Sequence, residues 1–72
     1  MTTIEFLQAE LKENENGLHK IAVDFNGIVK EVVASSGADE HEVTVNLEAI
    51  KRALKTRCEF LKELIKKAEK IA

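Results

Sequence analysis

ASSGADEHE, residues 34–42, interrupts a chain whose apolar residues otherwise recur at helical intervals. Gly37 is free to take the left-handed conformation that ends a helix. Asp39, followed three residues later by Glu42, reads as an acidic capping box that opens the next one. Thr2 and Glu5 repeat that pattern near the start of the chain. The stretch is therefore either a bend between two packed helices or a boundary between two units.

The residues on either side decide between these. Before the interruption the apolar series is Ile4, Leu7, Leu11, Leu18, Ile21, Phe25, Ile28 and Val32, with Asn14 at the one vacant step. After it the series is Val43, Leu47, Ile50, Leu54, Leu61, Leu64, Ala68 and Ile71, with Arg57 at the vacant step. Steps alternating between three and four mark helices packed side by side, and no comparable run has the period of two that a strand requires. If the chain folds back at Gly37, Val32 meets Val43, Ile28 meets Leu47, Phe25 meets Ile50 and Ile4 meets Ile71, all in one register. The expectation is an all-α, antiparallel helical hairpin, coiled-coil-like, forming a single domain over residues 1–72.

One weak place lies inside the first arm. NENG, residues 14–17, combines two asparagines with a glycine. A break there divides the arm into a short leading helix of about 3–13 and a second of about 15–35. The bend at 36–39 and a helix of about 40–71 follow. Asn14 either sets the register as a polar residue in the seam or caps the second segment, and the cap is the preferred reading. Phe60 stands nearly level with Gly17, where its ring would fill the space of a missing side chain.

Composition narrows the class. Of 72 residues, 44% are apolar and 33% charged, and there is no proline. This suits long helices with divided faces rather than a disordered chain. A net charge of -2 names no partner. In the second half the acids Asp39, Glu40, Glu42 and Glu48 come first and Lys62, Lys66, Lys67 and Lys70 last, which complements the dipole of one helix. Cys58 is the only cysteine, so no internal disulfide forms and a reducing compartment fits. The N-terminal residues lack the pattern of a secretory signal, and no apolar run is long enough for membrane insertion. A cytoplasmic location is expected.

No set of residues points to chemistry. His19 and His41 are far apart and lack partners at metal-binding spacing, so no metal, cofactor or catalytic group is expected. Lys62–Lys70 is basic but carries Glu63 and Glu69 and no interleaved aromatic, which disfavours nucleic acid. The expectation is a binding protein, not an enzyme. Beside the seam, Ala22, Val29 and Val33 form one apolar flank, facing Cys58, Ile65 and Ala72 on the second arm. These residues either widen the hairpin's own core or form a second, intermolecular face. The second reading is preferred, because one seam leaves each helix half wet and domains this small usually need a staple or a partner. Ala22, Val29, Val33, Cys58 and Ile65 are accordingly the expected partner-binding residues, and a homodimer of four helices is expected when no partner is present.

Three stretches carry a resemblance to a known family. The opening MTTIEFLQAEL, the bend SSGAD and LEAIKRAL at 47–54 together resemble the small co-chaperones of type III secretion needle subunits from Gram-negative pathogens. The chain is most similar to the attaching-and-effacing type. The resemblance implies a cytoplasmic hairpin that pairs with a larger chaperone of tetratricopeptide-like helical repeats. In a ternary complex, that chaperone holds the needle subunit monomeric before export. Relatives tend to carry a tyrosine just after the bend, whereas this chain has none. The competing reading is a small self-associating structural or adaptor protein, for example of phage origin.

Overall fold

The computed structural model describes residues 2–71, which form three helices: α1 (Thr3–Val23), α2 (Phe25–Ser36) and α3 (Glu40–Ile71). α1 and α2 follow one another along one arm, and α3 runs back along both as the other. The result is an antiparallel helical hairpin, a rod of 50 × 19 × 18 Å.

Each end of each arm has a local cause. Thr2 caps α1, its hydroxyl accepting from the Glu5 N–H at 3.2 Å and donating to the Glu5 carboxylate at 3.2 Å. Gly37 adopts φ 72°, a left-handed conformation that a Cβ would disfavour, and its N–H donates to the Val33 carbonyl at 2.9 Å. Ser36 secures the same corner, donating to Val32 O at 2.6 Å and accepting from the Ala38 N–H. Asp39 then opens α3 by accepting the Glu42 N–H on its carboxylate at 3.2 Å.

The first arm breaks in a different place from the one expected. α1 continues through 14–17, and the interruption falls at Asp24, where the backbone turns to φ -131°, ψ 42°. Asn14 is not a cap; its amide donates back to the Glu10 carbonyl at 2.7 Å within an unbroken helix. Gly17 lies against α3, with Leu54 Cδ1 3.8 Å from where its Cβ would be. The cause of the actual break is VDFNG, residues 23–27. All five residue types are poor helix formers, together roughly 3 kcal/mol worse than alanine. The Asp24 carboxylate folds over the first turn of α2 and occupies the space a Cβ on residue 27 would need, which only glycine leaves open.

The arms meet near the expected register. Gly17 lies against Leu54, four residues from the level the folded-back numbering gives, and Glu15 pairs with Lys62 at 3.8 Å, two residues from it. The inward face of α3, however, is rotated from the expected one. Buried or half-buried there are Leu47, Leu54, Cys58, Leu61, Leu64, Ile65 and Ala68, whereas Ile50 is 51% exposed and Ile71 almost free. The row through Ile50, Arg57 and Ile71 lies outside, with Leu64 at its inner border, and the row through Cys58 and Ile65 takes its place. The reason is Arg57: turning the first row inward would take its guanidinium out of water without a partner. Phe60 moves outward with that row and is 61% exposed, so it does not fill the space beside Gly17.

Candidate docking surface

The rotation decides what each candidate residue is free to do. Val29 is 3% exposed and Cys58 5%, so the hairpin itself already covers both. Val33 and Ile65 are half-buried at the same seam, and only Ala22 is open. Ala72 lies outside the described residues. The structure thus assigns Val29 and Cys58 to the internal core, and a partner could reach them only by parting the arms. The expected docking set is corrected on this point, and the widened-core reading applies to its centre.

The two long flanks of the rod differ sharply. On one, Glu15, Leu18, His19 and Ala22 of α1 border Lys51, Arg52, Lys55, Glu59 and Lys62 of α3 along shallow grooves. Charges of both signs alternate there, as on a solvated surface. The Glu15–Lys62 pair is exposed on both sides and contributes at most about 1 kcal/mol.

On the opposite flank, Glu10, Glu13 and Asn14 of α1 line a groove with Leu54 and Arg57 of α3. Successive helical residues turn by about 100°, so Ile50, Ala53, Phe60 and Leu64 share this side of α3, and Phe6 shares that side of α1. Phe6 is 52% exposed, and Val32 extends the apolar stripe toward the bend. Phe6, Ile50 and Phe60 are left largely in water on this side and Leu64 is half-buried, with the Arg57, Glu10 and Glu13 charges among them. A stripe of this kind is what a protein-binding surface presents, with aromatic residues and arginine as its anchors.

Sequence reasoning placed Val29 and Cys58 outside the seam that in fact buries them. The signal that could have placed them is the arginine. A helix row with a charge at its middle is a poor choice for the buried seam, and the apolar residues of that row are then left outside.

His19 and His41 are both exposed, and among the described residues no group of three or more metal-ligating side chains is close enough to hold an ion. No described helix is long and apolar enough to cross a membrane. No family model matches the chain, and neither a curated protein nor a solved structure matches it.

Proposed function

We propose that this protein is a binding module that docks on a larger helical partner through the Ile50–Ala53–Phe60–Leu64 flank. In this reading it is a co-chaperone of a type III secretion needle subunit, acting in the bacterial cytoplasm. The observation that carries the docking reading is the exposed apolar stripe, with Phe60, Ile50 and Phe6 in water, on a rod whose opposite flank bears charges of both signs. The specific role rests on the resemblance of MTTIEFLQAEL, SSGAD and LEAIKRAL to that family. The partner is a tetratricopeptide-like chaperone, whose concave helical surface suits a rod of this width. The hairpin stabilises that chaperone, and the chaperone keeps the needle subunit from polymerising. No catalysis or cofactor enters.

Phe60 is the expected hot spot, as an aromatic at the centre of the stripe. Phe60→Asp leaves the core intact, because the ring is outside it, so circular dichroism should be unchanged. The variant should lose co-purification with a co-expressed needle chaperone and needle subunit, while a Lys55→Glu control on the charged flank retains it. A folded Phe60→Asp variant that still holds the chaperone would overturn the choice of face. A wild-type chain that binds no needle chaperone would overturn the role.

A further inference from the structure

We infer that, in the absence of a larger partner, the flank bearing Phe60 is covered by a second copy of this chain, about a two-fold axis parallel to the rod. This inference stands whether or not the co-chaperone reading holds.

The first argument is charge. Along this flank the α1 edge is acidic, with Glu10 and Glu13, and the α3 edge carries Arg57 at the same groove. A two-fold axis along the rod keeps every residue at its own height and exchanges the two edges, so each α3 lies over the partner's α1. Arg57 of each copy then meets the partner copy's Glu10 and Glu13. An axis across the rod would instead stack like edges on one another.

The second argument is size. One long face of the rod measures about 50 × 18 Å, or about 900 Å², which matches the ~800 Å² each partner contributes to an interface of standard size. A protein whose own core buries only four apolar side chains among the described residues gains proportionately from such a cover.

Sedimentation equilibrium of the full chain over a wide concentration range tests this. A monomer–dimer equilibrium is expected, and Phe60→Asp should raise its dissociation constant by roughly 30-fold or more, the scale of a central hot spot. The charge arrangement is tested by two chains, Arg57→Glu and the double variant Glu10→Lys with Glu13→Lys. Each alone sets like charges together across the axis and should stay monomeric. Mixed in equal amounts they restore opposite charges at both contacts, so a heterodimer should form. An intramolecular role for these charges predicts no effect of mixing. A wild-type chain that stays monomeric at millimolar concentration would sink the inference, as would a dimer indifferent to Phe60→Asp. If the mixed variants fail to associate, the axis is wrong. A wild-type chain that binds the chaperone without self-associating would remove this inference alone, and one that self-associates without binding the chaperone would remove only the co-chaperone role.

Discussion

Two glycine-bearing stretches occupy the same arm, Asn14–Gly17 and Val23–Gly27, and only the second breaks it. The first has a glutamate among its residues, a side-chain bond from Asn14 to its own helix, and Leu54 of the facing arm against Gly17. The second has five consecutive poor helix formers, and its aspartate turns back on the chain. Intrinsic preference is a weak force that packing overrides when the opposing arm offers a surface. It decides the outcome where the deficit accumulates over several residues.

The largest way to break this contrast is to remove the surface that carries the first stretch. Leu54 is half-buried on α3, against Gly17 and in one groove with Asn14. Leu54→Ala should cost about 2 kcal/mol or more in urea unfolding, and it should weaken hydrogen-exchange protection through 14–17 more than in α2. A loss confined to α2 would show that the arms do not support one another in this way.

Gly37 gives the next effect and sets the scale for a glycine held by conformation alone. Gly37→Ala meets no neighbouring atom but keeps the left-handed backbone, so a loss of about 1–2 kcal/mol is expected. An unchanged unfolding midpoint would mean that the bend can re-form in another conformation.

The smallest effects separate the two stretches directly. At Gly17 a methyl group fits against Leu54 in ordinary contact, so Gly17→Ala should stabilise by up to about 1 kcal/mol. At Gly27 the same methyl collides with the Asp24 carboxylate, which must rotate away. Gly27→Ala should therefore gain less, and adding Asp24→Ala should recover the difference. Equal gains at the two glycines, measured by thermal unfolding, would show that the carboxylate contact carries no energy.

The hairpin itself was legible in the sequence because its signals are local and agree: a left-handed glycine, a capping aspartate, and two apolar series of matched length. The break at Asp24 was legible in principle from the run of poor helix formers, but NENG is the more conspicuous cluster and drew the expectation instead. The inward face of α3 was harder for a physical reason. α3 is apolar over a wide arc, so a 3–4 spacing fits more than one stripe, and the choice depends on where the facing arm lies. Arg57 resolves that choice only when its burial is weighed against that of Cys58. Val29 and Cys58 look like flank residues under one choice of stripe and are the centre of the core under the other.

Cys58 also makes the molecule its own reporter. It is the sole thiol of the chain and is closed between the arms. A thiol reagent can attack it only in the fraction of time the arms are apart, because a covered sulfur presents no thiolate to solution. The rate of labelling thus counts openings of the hairpin, one signal per molecule, without a dye or an engineered probe. Anything that clamps the rod from outside slows that clock, even though it never touches the sulfur.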